Sequence, residues 1–220
     1  MAIGRNLWVS KFFSQPFRHL EQLSDMIKIK EISPEKAYRL FYPNVVALLS
    51  ASFKDDADVM PVISYCSLSF EPPLFGVAIN PKSFTYRLVK RSGCLAFNIV
   101  NDDMSRAVAA SGDISAKDRR DKLLLAGISL VKARKIKGKV VKDASAVIEC
   151  AVLKAIKTGD HDFFIGKCET SYANDDFRDY WEYKKYSPAL YAGSHKGDRG
   201  KSHRFAKLAR EFNHIPYISS

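Results

Sequence analysis

With 220 residues, 46% of them hydrophobic and 12% aromatic, the chain can build one generous domain with a packed core, which excludes the disordered and fibrous classes. No apolar run is long enough to span a bilayer, and Met1 to Leu20 mixes Arg5, Lys11 and Arg18 with Trp8, Phe12, Phe13 and Phe17 in place of a secretory core, so a cytoplasmic protein is expected. A net charge of +11 calls for an anionic partner: nucleic acid, an acidic membrane surface or a phosphorylated cofactor.

In chain order, residues 1–33 read as an N-terminal extension. Ser33-Pro34 then starts a short helix, with Ser33 as N-cap and Pro34 pre-set for the first turn, and Pro43 stops it. Val45 to Ala51 is an apolar run of strand length. The polar turn Lys54 to Asp58 joins it to a second strand predicted over Val59 to Leu68, giving a hairpin. Glu71-Pro72-Pro73 forces a turn, and Leu74 to Asn80 is the next strand. Phe84 to Arg91 reads as a helix closed by Gly93, and Cys94 to Val100 as a strand.

Asp102 to Ala126 has helical spacing, with Met104, Val108, Leu123 and Leu124 on it. Ile128 to Val131, Val140-Val141, Ala144 to Ile156 and Phe163 to Cys168 read as further strands, with Gly159-Asp160 the turn between the last two. Residues 203–213 suggest a terminal helix within a basic tail, 195–220. Many short strands with one helical insert predict a mainly β fold, an antiparallel barrel of Greek-key type with helical insertions. With no GxGxxG, a Rossmann sheet has no support.

Cys66, Cys94, Cys150 and Cys168 lack CxxC spacing and mostly sit in apolar runs, so buried free thiols are expected, with no metal site and no disulfide framework. The basic residues concentrate at Lys132 to Lys142 and at His195 to Arg210. Neither run interleaves aromatics as a single-strand stacking platform does, so a solvated basic face is favoured over a basic nucleic-acid-binding barrel.

HExxH, GxSxG and spaced carboxylate pairs are all missing from the sequence. Gly200-Lys201-Ser202 resembles the end of a P-loop, but the pattern needs glycine at position 195, where this chain has His195. Asn80 to Tyr86 carries more. A strand leads through a proline turn into a helix capped by Ser83, with Lys82 and the Ser83 and Thr85 hydroxyls around the positive end of the helix dipole. Those residues suit a terminal phosphate. They equally suit an ordinary capped helix with a surface lysine.

Upstream, Ser64, Ser67 and Ser69 lie in an apolar strand ending in Ser69-Phe70-Glu71-Pro72-Pro73. This serine-rich strand followed by S-x-x-P-P resembles the flavin reductase-like domain family. The resemblance continues in order through Tyr42-Pro43 with Val45 to Ala51, the Lys-Ser-x-Thr-Tyr element Lys82 to Tyr86, Gly93 to Asn98, Ile148-Glu149-Cys150, Gly159-Asp160-His161 and Tyr186 to Tyr191, covering residues 34–194. It implies an FMN-binding split β-barrel, usually homodimeric. It places Ser64, Tyr65, Cys66, Ser67 and Ser69 beside the flavin ring system, Lys82, Ser83 and Thr85 at its phosphate with Tyr86 nearby, and His161 near the flavin and a nicotinamide donor. The function implied is an NAD(P)H:flavin oxidoreductase, with NADH or NADPH as donor and a monooxygenase, ferric iron or another redox acceptor downstream. The alternative is a flavoredoxin-like electron carrier that keeps FMN without NAD(P)H turnover.

Overall fold

A computed structural model describes residues 29–197 and 200–208, and the chain divides between Leu40 and Phe41 into two units. In the first, the described residues carry the predicted helix as a 3₁₀ helix, Pro34–Phe41, which runs one residue past the division and has no buried residue. The rest of the N-terminal extension, residues 1–28, lies outside the described residues.

The second unit is mainly β. The strands are β1 (Asn44–Val45), β2 (Ala47–Phe53), β3 (Asp56–Val62), β4 (Tyr65–Phe70), β5 (Pro73–Ile79), β6 (Cys94–Ile99), β7 (Leu130–Lys132), β8 (Lys139–Val141), β9 (Ala146–Thr158), β10 (His161–Ala173), β11 (Leu190–Gly197) and β12 (Gly200–Ala206). Among the described residues three α-helices join them: α1 (Phe84–Ser92), α2 (Ser105–Asp113) and α3 (Lys122–Leu125). Seven strands form an antiparallel sheet in the order β3-β2-β6-β9-β10-β5-β4, with smaller sheets β1-β11-β12 and β7-β8. Its two edges, β3 and β4, are consecutive in the chain and separated only by Ile63-Ser64, so the sheet curls back on itself as a barrel rather than lying flat.

The two-sided apolar character of β2 explains its central place. Ala47, Leu49 and Ala51 point into the barrel core with Val77, Ile79, Leu95, Phe97, Cys150 and Phe164. Val46, just before β2, and Leu48 meet Val59, Val100 and Val108 on the opposite side. A strand covered on both faces needs no polar alternation. Leu88 and Val89 of α1 close one end of the barrel core.

Several sequence expectations change here. The strand predicted over Val59 to Leu68 is two strands. It breaks at Ile63-Ser64, and β4 crosses to the far edge to pair with β5. The helical stretch from Asp102 to Ala126 is interrupted between Ile114 and Asp121. The helix proposed over 203–213 fails in its described part: residues 203–206 belong to β12, because β11 offers them a partner with Ser194 opposite His203. The boundary drawn between residues 194 and 195 therefore falls inside β11, and Gly200 to Ser202 form strand, not a phosphate loop. All four cysteines are free, but only Cys150 is buried, since Cys66 sits exposed on the edge strand and Cys94 and Cys168 are half-buried.

The basic run around residues 133–138 has a structural use that its charge did not suggest. Its backbone wraps the fully buried Glu149, whose carboxylate accepts from the N–H groups of Arg134 (2.7 Å), Lys135 (2.7 Å) and Ile136 (3.1 Å) and from the Tyr172 hydroxyl (3.0 Å). The Arg134 guanidinium lies over the Tyr172 ring, 3.6 Å from its centroid.

Candidate functional site

The helix α1 is built as its sequence demands. Ser83 has extended backbone, and its hydroxyl oxygen accepts from the Tyr86 N–H at 3.1 Å. Gly93 takes the left-handed conformation (φ +67°) and donates its N–H to the Val89 carbonyl, with Lys90 and Arg91 in the last turn. The preceding turn is held by Asn80, whose carbonyl accepts from Ser83 N–H and whose side chain accepts from Lys82 N–H, both at 2.9 Å. The first-turn amides of Phe84 and Thr85 have no acceptor within the helix and lie at the positive end of its dipole, the mouth of α1, with Lys82 exposed beside them.

Two other segments reach the same end of β5. On one side, the Ser64 carbonyl accepts from Ala78 N–H, so β4 begins level with the last residues of β5. On the other, Asp162 pairs with Ile79, which brings the β9–β10 turn at Gly159-Asp160 alongside Asn80. His161 Nδ1 lies 2.8 Å from the Asp160 carboxylate, and its side chain is 38% exposed. That hydrogen bond and the charge of His161, with Lys82 within electrostatic reach, hold the Asp160 carboxyl below the ordinary carboxylate range. Three segments far apart in sequence thus converge on the mouth of α1.

The site residues divide by position. Ser64, Cys66 and Ser67 are exposed on or beside the edge strand and Ser69 is half-buried, with a bulge between Ser67 and Ser69. Tyr65 turns inward, its ring 5.7 Å from Phe97, and burial pushes its hydroxyl pKa up to about 12. The Tyr86 hydroxyl donates to Asp162 at 2.7 Å, which raises its pKa, and its ring meets Phe164 edge-on. The Thr85 side chain does not reach the mouth of α1, where the resemblance had set it beside a phosphate. It is fully buried, and its hydroxyl donates to Asp58 at 2.6 Å, so only its backbone N–H faces the mouth.

That inward turn exposes a network that sequence reasoning missed. Asp58 and Lys122 form an ion pair at 2.8 Å with side chains 2% and 5% exposed, and Lys122 also donates to the Val59 carbonyl at 2.6 Å. The network ties the first turn of α1 to β3 and α3. Lys117, from the segment before α3, donates to the Lys82 carbonyl and steadies the loop from its other side.

The fold and this geometry define a curled, mainly β barrel with a helix mouth between its strand ends, and comparison with known proteins identifies its family. A profile of the flavin reductase like domain family matches residues 38–198, and the chain belongs to that family. An uncharacterized protein of Aeropyrum pernix is 31% identical over 166 residues, spanning 75% of this chain and 63% of that protein's length. Among solved structures, the flavoredoxin of Desulfovibrio vulgaris (Miyazaki F) superposes with a TM-score of 0.70 at 19% identity, covering 85% of this chain and 97% of that one. The FMN-binding protein of Thermus thermophilus gives 0.68 at 21% identity, covering 86% and 100%. Among the described residues, no helix is long and apolar enough to cross a membrane.

Proposed function

We propose that this protein is a cytoplasmic, homodimeric NAD(P)H:flavin oxidoreductase that holds FMN at the mouth of α1. The observation that carries the reading is the convergence of Ser64, the Lys82-Ser83 turn and Asp160-His161 on one end of β5, around amides that have no helical acceptor. The donor set fits a phosphate dianion: two backbone N–H groups, the Ser83 hydroxyl and the Lys82 ammonium. The exposed hydroxyls and backbone of the β4 edge suit the polar rim of a flat heterocycle. Bound FMN would supply the hydride and electron chemistry, which matches a sequence without nucleophile or acid–base signatures. The chain's own part is to hold the phosphate, orient the ring system along β4, and present His161 with one ring nitrogen fixed by Asp160. Exposed Leu68 and Phe70 on β4 and Leu153 on β9 offer apolar surface for a second copy.

The resemblance to a flavoredoxin supports a second reading, an electron carrier that exchanges electrons with protein partners and does not turn over NAD(P)H. Purified protein is expected to be yellow, with an FMN spectrum released on denaturation, and to run in light scattering at twice its 24.8 kDa chain mass. Steady oxidation of NADH or NADPH with added FMN supports the reductase. Tight FMN without turnover supports the carrier, and protein that takes up no flavin at any concentration contradicts both.

A further inference from the structure

Two thiols that the flavin reading does not use face each other across the long β9–β10 hairpin. Cys150 of β9 stands directly opposite Cys168 of β10, and both are free. Residues opposite one another on antiparallel strands carry their side chains on the same face. Here that face is the barrel interior. Cys150 belongs to the core with Leu95, its partner on β6, and with Phe164, four positions before Cys168 on β10. Cys168 itself is half-buried.

The backbone sets the spacing of the pair. Val152 donates its N–H to the Gly93 carbonyl, so the alternate residues of β9 that include Cys150 turn their backbone groups toward β6. Toward β10, Cys150 and Cys168 are then a pair without mutual hydrogen bonds. In such pairs the Cα atoms lie about 4.5 Å apart, within the roughly 4.4–6.8 Å that a disulfide spans. The Cys150 side chain already leans over β10: a Cβ at Gly166 would come within 2.8 Å of Cys150 Cβ and 3.6 Å of its Sγ. The other two thiols lie elsewhere, Cys94 in a separate cluster with Ala96 and Val140, and Cys66 exposed on β4.

The two partners differ in access. Cys150 is fully buried, and burial with the adjacent Cys168 sulfur pushes its thiol up to about 12. Burial also raises Cys168, but the Thr170 N–H works against that shift. Cys168 is the thiol that a dissolved reagent can meet, and Cys150 the one placed to resolve the product.

We propose that Cys150 and Cys168 form a reversible disulfide by exchange with a low-molecular-weight disulfide, fastening β9 to β10. Cys168 loses its proton, and its thiolate attacks one sulfur of the reagent, which forms a mixed disulfide and releases one thiolate. Cys150 then loses its proton and attacks the Cys168 sulfur, which forms the cross-strand bond and releases the second thiolate. The released thiolates take up the two protons, so two cysteines are oxidised and one disulfide is reduced to two thiols. The bond closes a loop of about 18 residues that contains the Gly159-Asp160 turn and His161.

The test equilibrates the full chain with oxidised glutathione or with dithiothreitol, traps free thiols with iodoacetamide in urea, and maps the peptides by mass spectrometry. Oxidised protein is expected to give one internal cross-link, between Cys150 and Cys168, which dithiothreitol reverses. Its thermal midpoint should exceed that of the reduced protein by roughly 5–10 °C. In Cys168→Ser the oxidation-dependent shift should vanish, and the wild-type map stands whether or not that variant folds. Cys150 still alkylated after oxidation, whether Cys168 is free or carries glutathione, overturns the proposal. So does a bond from either cysteine to Cys66 or Cys94. A Cys150–Cys168 bond that leaves the midpoint unchanged overturns the fastening role.

Discussion

Replacing Lys122 with methionine is expected to destabilise the fold by about 3–5 kcal/mol. The methionine keeps most of the apolar stem, so lost packing is a small part of the effect. What changes is that the Asp58 carboxylate, 2% exposed, loses its cation and keeps only the Thr85 hydroxyl. The Val59 carbonyl loses its donor in the same step. An uncompensated buried charge costs far more than the intact pair contributes. Adding Asp58→Asn to Lys122→Met should recover part of the loss, because the stranded group is then neutral. Urea unfolding of both variants checks this. A loss below about 1 kcal/mol, with no recovery in the double variant, would mean the pair is not desolvated as described. The network also grips Thr85 at the second position of α1, so Lys122→Met should weaken flavin binding as well.

A second large effect is expected at Glu149, where Glu149→Gln should cost about 2–4 kcal/mol at neutral pH. Both carboxylate oxygens are committed, one to Arg134 N–H and the Tyr172 hydroxyl, the other to the Lys135 and Ile136 N–H groups. A glutamine must turn its amide nitrogen toward one of these pairs. The Tyr172 hydroxyl can rotate, but a backbone N–H cannot, so a buried donor is orphaned and the charge assistance is lost. Burial alone would raise the Glu149 carboxyl, but the three backbone donors and Tyr172 outweigh it and lower its pKa from the ordinary 4.5. A lowered folded-state value means the stabilisation is fully present above about pH 4.5 and fades as pH falls through the folded value. The gap between wild type and Glu149→Gln in urea unfolding should therefore narrow on acidification below that point. A gap that stays constant from pH 7 to pH 3 would contradict the assignment.

Local chemistry made some of this legible in advance. The cap at Ser83, the stop at Gly93 and the Gly159-Asp160 turn are decided by residues within a few positions of each other, and the structure has all three. Within the apolar run at Val45 to Ala51, the strand from Ala47 onward was readable because burial on both faces removes alternation, whereas Val45 is exposed and pairs with β11 in another sheet. What failed depended on distant partners. Ile63-Ser64 carries no strong breaker, and the split between β3 and β4 follows from β4 finding β5 at the opposite edge. The strand residues 203–206 replace the start of the helix predicted over 203–213 because β11 supplies their hydrogen bonds.

The same limit applies to side chains. Thr85 looked like a phosphate donor beside Ser83, yet helical geometry turns it inward, toward an aspartate 27 positions earlier. The Asp58–Lys122 pair and the cradle of Glu149 join segments with no shared motif. The charge of the run at residues 132–142 drew attention to solvent, while its backbone amides do the structural work.

The most direct test is an FMN titration of flavin-free wild type against Lys82→Ala and Lys82→Ala, Ser83→Ala proteins. A charge-assisted contact of about 1.5–3 kcal/mol predicts a loss of roughly 10- to 150-fold for Lys82→Ala with unchanged unfolding, and the Ser83 contact adds a further roughly two- to tenfold in the pair. Removing the Ser83 cap also costs about 1 kcal/mol of stability, so unfolding is followed in parallel. FMN affinity undiminished in the double variant would contradict the account at its foundation, because the phosphate would then be held elsewhere.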